Sequence, residues 1–202
     1  VPDIPGTDSA RLHTLRSVED TFRIREAVAD GAARSATVVG GGFIGLEMAE
    51  NLRELGIAVA LLQRGEHVMP TLDAAMAALV HNRLRSGGVD LRLRAGVTGF
   101  ADVEAGIATL LDTGERIVSD IAILAVGVTP ESALARAAGL ELGMRGAIRT
   151  DACMRTSDPD IYAVGDAVQV AHAVTGQPAV ISLAGPANKQ GRIAADAICG
   201  IE

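Results

Sequence analysis

The stretch TVVGGGFIGLEMAE (residues 37–50) decides how the chain is read. Thr37, Val38 and Val39 are β-branched and lead straight into Gly40, Gly41 and Gly42, with Gly45 three residues on. Beyond the glycines, Ile44, Met48, Leu52 and Leu55 recur at helical spacing. The glycine cluster therefore joins a short buried strand to an amphipathic helix. In the pattern Gly40-x-Gly42-x-x-Gly45 each glycine has a physical task. Gly40 allows a tight turn, Gly42 lets the backbone approach a pyrophosphate, and Gly45 lets helix and strand pack closely. The helix N-terminus then directs its free N–H groups at the phosphates, and Phe43 and Ile44 at that helix start are counted with the nucleotide contacts.

The second half of this dinucleotide fingerprint departs from its pattern. An acidic residue is expected about 20 residues on, at the end of the second strand, to hold ribose hydroxyls. Gln63 stands there, followed by Arg64, and Glu66 lies too far into the loop. The choice between NADH and NADPH stays open on this pattern. Gln63 can still hydrogen-bond a hydroxyl and Arg64 offers a planar cation to a 2′-phosphate, so NADPH is expected to be accepted at least as well as NADH.

Outward from the motif, the chain alternates strand and helix. Ser17 with Asp20 three residues on marks a helix start, with Val18, Phe22 and Val28 on one face up to Asp30-Gly31. IAVALLQ (57–63) reads as a buried parallel strand, and a helix over 72–85 turns Leu72, Met76, Leu79, Val80 and Leu84 inward. VDLRLR (89–94) alternates like a strand, and residues 97–119 read as a small antiparallel meander. DIAILAVGV (120–128) is again an apolar strand. After Pro130 come a short strand near 147–150, a strand IYAV ending at Gly165-Asp166, and a helix from Pro186 to Cys199. The expected class is α/β: a Rossmann-like parallel sheet with helices and an inserted meander, plus a partial second domain.

Composition narrows the partners. The formal charge of −7 argues against nucleic acid and anionic membrane surfaces, and no apolar run approaches a membrane span. Cys153 and Cys199 form no CxxC and no metal-ligand cluster, so they are expected to be reduced, packed thiols in a cytoplasmic protein. His13, His67, His81 and His172 pair with no nucleophile and are expected at the surface. VPDIPGTD (1–8) reads as a connecting loop, and the start at Val1 suggests a piece of a longer protein.

The order PGTD, GGGFIGLEMAE, AVGVTPE, IYAVGDAV and LAGPANKQGRIAADAICG resembles the pyridine nucleotide-disulfide oxidoreductases. Within them it is most similar to the branch of coenzyme A-disulfide reductases, NADH oxidases and NADH peroxidases. The resemblance implies that residues 1–32 end the first FAD-domain segment, 33–124 form the NAD(P)H domain and 125–202 begin the second FAD segment. It implies Asp166 on the flavin ribitol, Gly127 near the nicotinamide half, and Ser182, Leu183 and Ala184 between nicotinamide and flavin. Glu47 takes the family's acidic position beside the nicotinamide. The redox cysteine and the dimer domain of the family are expected outside this chain. The full-length protein is thus expected to be a homodimeric FAD-dependent NAD(P)H oxidoreductase, with this chain alone inactive and weak in FAD. A reductase without redox cysteine, serving ferredoxin or rubredoxin, and a non-catalytic nucleotide-binding module are the alternatives.

Overall fold

The structure is a computed structural model that describes residues 2–201; the connecting loop expected from Val1 is therefore described from Pro2 on. The chain divides after Gly127 into two compact units.

In the first unit, β1 (Leu12–Thr14), β2 (Ser35–Val39), β3 (Ala58–Gln63), β4 (Asp90–Leu93) and β8 (Ile121–Leu124) form a parallel sheet in the order β1-β8-β2-β3-β4. Side chains alternate across such strands, and here each face has its own cover. Val38, Leu61 and Ile123 pack with Ala49, Leu52 and Leu84 from the helices α2 (Phe43–Glu54) and α3 (Ala74–Ser86). Their neighbours Val39, Leu62 and Leu124 turn the other way, onto Phe100, Ile107 and Leu111. Those three belong to the antiparallel meander of β5 (Val97–Val103), β6 (Gly106–Leu111) and β7 (Arg116–Ser119), ordered β5-β6-β7. Burial on both faces is why β8, and β3 as far as Leu62, are continuously apolar. Each fully buried Leu or Ile here contributes about 1.5–3 kcal/mol.

Local chemistry sets the helix starts. α1 (Val18–Val28) begins in a complete capping box, with Ser17 accepting from the Asp20 amide and Asp20 accepting back from the Ser17 amide. Asp73 caps α3 by accepting from Met76 N at 2.8 Å. Two expected faces are corrected. Val18 and Phe22 are 65% and 60% exposed, and Ile24 is the buried residue of α1. In α3, Met76 and Leu79 face outward, because Ala77 and Leu84 carry the buried stripe.

The second unit contains α4 (Ala133–Ala137), β9 (Ile148–Arg149), β10 (Val168–Ala171), β11 (Pro178–Ala179) and α5 (Ala184–Ile198). β10 lies between β11, antiparallel to it, and β9, parallel to it. The expected strand IYAV is not one: Tyr162 makes an isolated bridge to Arg155, and the ladder forms after Asp166 instead. Cys153 and Cys199 are free but exposed rather than packed. None of the four histidines is fully exposed; all are partly buried. Among the described residues, no helix is long and apolar enough to cross a membrane.

Candidate nucleotide-binding site

The glycine turn stands where three strands end together. Gly40 N donates to Leu62 O at 2.8 Å, and Ala125 N donates to Val39 O at 2.7 Å, so both ladders run to the edge of the turn. On one side β2 meets β3, the next strand in the chain; on the other it meets β8, which returns after the meander. Such a divergence at the carboxyl ends of parallel strands opens a crevice for a ligand.

Each glycine is used differently. Gly40 has φ +111°, and a Cβ there would run into the Ala125 carbonyl. A Cβ on Gly45 would meet the Gly40 carbonyl oxygen, so α2 leans on the turn at a distance that leaves no room for a side chain. A Cβ on Gly42 would meet nothing within 4 Å. Gly42 is also the N-cap of α2 and supplies no side-chain cap, which leaves the first-turn N–H groups without a side-chain acceptor. Phe43 is exposed and Ile44 half-buried beside it.

Gly41, between them, is held on both sides. Its N–H donates to Gln63 Oε1 at 3.1 Å and its carbonyl accepts from Met69 N at 2.7 Å. The other end of the Gln63 side chain, Nε2, donates to His67 O at 3.2 Å. Gln63 thus ties the glycine turn to the loop that follows β3. Met69 closes that loop with φ +50°, a left-handed conformation costing a non-glycine residue roughly 1–2 kcal/mol. Val68, fully buried, sits under Gly41, and its amide donates to His81 Nε2 at 3.2 Å on α3. Burial, then Arg85 and His67, hold the His81 imidazole below its usual pKa.

Arg64 is exposed, and among the described residues no hydrogen bond or ion pair engages its guanidinium, whereas Glu66 pairs with Arg94 at 2.9 Å. Glu47 is exposed on α2 and borders a cavity of about 380 Å³ shared with Leu46, Glu50, Val80 and Leu84. None of the residues lining that cavity belongs to the glycine turn. Gly127 ends the unit with φ +102° and is exposed.

The remaining expected site residues lie in the second unit. Gly165, with φ +87°, donates its N–H to Oε1 of buried Gln190 on α5 at 2.7 Å. This fixes the turn and leaves the Asp166 carboxylate exposed, with no hydrogen bond to it among the described residues. Ser182 precedes α5, Leu183 is its N-cap and Ala184 its first residue; no side chain caps this N-terminus. Gln190, Val68 and Met69 were not singled out by sequence, and His81 was read only as a surface residue. Each acts through one long-range hydrogen bond that no local pattern announces.

Residues 1–191 match the family described as Pyridine nucleotide-disulphide oxidoreductase. The whole chain is 35% identical to the NAD(P)H sulfur oxidoreductase (CoA-dependent) of Pyrococcus abyssi, of which it spans 45%. It resembles the reduced Bacillus anthracis CoADR-RHD with a TM-score of 0.94 and 48% identity, covering 99% of this chain and 36% of that one. An engineered water-forming NADPH oxidase bound to NADPH, a mutant of the Lactobacillus brevis NADH oxidase, matches with a TM-score of 0.90 and 34% identity, over 97% of this chain and 43% of its own. The chain thus spans less than half the length of these proteins. Its glycine turn, its sheet order and the family match over residues 1–191 agree, and the chain belongs to the pyridine nucleotide-disulphide oxidoreductase family.

Proposed function

We propose that this chain is the NAD(P)H-binding part, together with part of the FAD domain, of a flavin-dependent NAD(P)H oxidoreductase of the cytoplasm. Residues 33–124 bind the nicotinamide nucleotide, while 1–32 and 125–202 belong to the FAD domain. The carrying observation is the open space at Gly42, directly at the uncapped N-terminus of α2, where a pyrophosphate can approach the backbone. The Gly165-Asp166 turn and the uncapped start of α5 fit the flavin in the same manner, with Asp166 free for the ribitol.

In the assembled, homodimeric protein, bound flavin would take a hydride from the nicotinamide and pass electrons to a disulfide, peroxide or oxygen. The residues of this chain bind and orient. Glycines 40, 42 and 45 seat the pyrophosphate, Glu47 and Gly127 flank the nicotinamide half, and Ser182 to Ala184 line the flavin side.

For the adenosine end, we read NADPH as accepted at least as well as NADH. Gln63 carries no charge to repel a 2′-phosphate, and the free guanidinium of Arg64 supplies a cation. The engineered NADPH oxidase supports this: among its five substitutions an aspartate becomes alanine and, at the next position, an alanine becomes arginine. Here a non-acidic residue, Gln63, is likewise followed by Arg64.

The test is calorimetric titration of the chain with NADPH and NADH, then with FAD. Binding of both nicotinamide nucleotides without disulfide or peroxide turnover supports the reading, and binding of neither overturns it.

A further inference from the structure

We propose that His81 is a positioning residue for the nucleotide-binding turn: as a neutral imidazole it accepts the Val68 amide and thereby holds the loop of residues 64–70 against Gly41. The proposal rests on the nucleotide-binding reading and adds a residue, and a pH dependence, that the glycine motif does not contain.

The geometry fixes the protonation state. A backbone N–H can only donate, so His81 Nε2, 3.2 Å from Val68 N, must present its lone pair. The proton of the neutral ring then sits on Nδ1. An imidazolium has protons on both nitrogens and cannot accept this bond. The side chain of Val68 is fully buried, so an opened His81 leaves its amide without a partner unless the loop moves toward water.

That movement would reach the site. The Val68 side chain is packed under Gly41, with Cγ1 2.8 Å from where a Gly41 Cβ would stand. Met69 follows, holding the Gly41 carbonyl at 2.7 Å from a left-handed backbone that relaxes once its neighbours let go. Arg64, on the same loop, would move with it. The bond therefore couples α3 to both the glycine turn and the cation proposed for the 2′-phosphate.

Two groups act on His81: Arg85 on its own helix and His67 on the facing loop, and both oppose its protonation along with burial. His67 does not imitate the effect. Its Nδ1 lies 3.0 Å from the Val68 carbonyl, to which it must donate, and it can do so neutral or charged. The sign follows from a pKa lowered from 6.5: the His81 bond is fully made above pH 6.5 and is lost only as the pH falls through the lower folded-state value.

The experiment titrates the full chain with ADP-ribose, whose pyrophosphate keeps its charge from pH 8 to pH 5. Losing one hydrogen bond predicts wild-type affinity about 5- to 10-fold weaker once His81 is protonated, as its NMR titration reads, than at pH 8. His81→Gln, whose Oε1 accepts the amide without titrating, should match wild type at pH 8 and lose the acid fall. A flat wild-type profile, or an acid fall retained in His81→Gln, overturns the proposal while leaving nucleotide binding intact. No binding by wild type at pH 8 overturns the nucleotide reading and this inference with it. Nitrogen NMR of the His81 ring checks the bond without ligand: an Nδ1–H tautomer near pH 8 supports it, and an Nε2–H tautomer overturns it.

Discussion

Asp120 and Ser35 clasp each other. The Asp120 carboxylate accepts from Ser35 N and Ser35 Oγ, both at 2.8 Å, and Asp120 N donates back to Ser35 Oγ at 3.0 Å. Arg34 N adds a third donor to the same carboxylate at 2.9 Å. The clasp joins the residue just before β8 to the first residue of β2, at the opposite end of the sheet from the glycine turn. Burial alone would raise the Asp120 pKa, but these hydrogen bonds outweigh it and the carboxyl lies below its usual 3.8.

Asp120→Asn should therefore cost about 1.5–3 kcal/mol in urea melts, the range for hydrogen bonds to a charged group. With a depressed carboxylate pKa, the stabilisation is complete above pH 3.8 and is lost as the pH falls through the folded value. The variant should show less acid sensitivity than wild type below pH 4, and an equal slope would remove Asp120 from the account.

Two glycines separate fold from ligand. Gly40→Ala puts a Cβ onto the Ala125 carbonyl at φ +111°, so stability should drop by roughly 2 kcal/mol or more, and nucleotide affinity with it. Gly42→Ala finds open space and an ordinary extended backbone, φ −84° and ψ −173°. Its melting temperature should stay within about 2 °C of wild type, while affinity for NADPH and NADH falls about tenfold or more. A Gly42→Ala protein that binds normally would mean that the pyrophosphate does not sit at this turn.

Arg64→Ala should lower the NADPH-to-NADH affinity ratio by about 10- to 100-fold, because a charge-assisted contact to the 2′-phosphate is lost while the ribose contacts remain. Competitive titration of both nucleotides reads this directly. An unchanged ratio assigns the phosphate to another cation.

Thr109, at the centre of β6, is fully buried, and its hydroxyl has no partner among the described residues. Contrast Thr37, whose hydroxyl donates to Ser119 Oγ at 2.9 Å, while Ser119 donates onward to Ile121 O at 2.8 Å. Thr109→Val removes the unpaired group at nearly constant volume and should stabilise the protein by about 1 kcal/mol. For a chain of this size that raises the melting temperature by about 2–4 °C. A lowered value would indicate that the hydroxyl is satisfied in solution.

The parts of the fold read most accurately from sequence are those in which short-range pattern and long-range packing agree. The glycine turn and α2 belong here, because a β-branched run, three glycines and a helical stripe are all local signals. Where packing decides, sequence missed. The apolar run 120–128 pairs only over Ile121–Leu124, since β2 ends at Val39; Val126 and Val128, with no strand beside them, are exposed. In α3 the small Ala77 took the core position that size would have given to Met76. At the site, the positions of Gln63 and Arg64 were legible but the engagement of Gln63 was not. Both ends of its side chain depend on a loop that returns His67 to it.

The position of β8 also sets the order in which the chain can be assembled. β8 is the last of the five parallel strands to leave the ribosome, yet it fills the slot between β1 and β2. Until Ile121–Leu124 is made, β1 has no strand to pair with and β2 keeps one open edge. β2, β3 and β4 can zip together as soon as each is synthesised, whereas the β2–β8 pairing must close a loop of some 80 residues. Between the synthesis of β2 and that of β8 the nascent chain therefore carries an unprotected edge, and such late, non-local edge closure is the kind of step that slows folding and exposes a chain to aggregation.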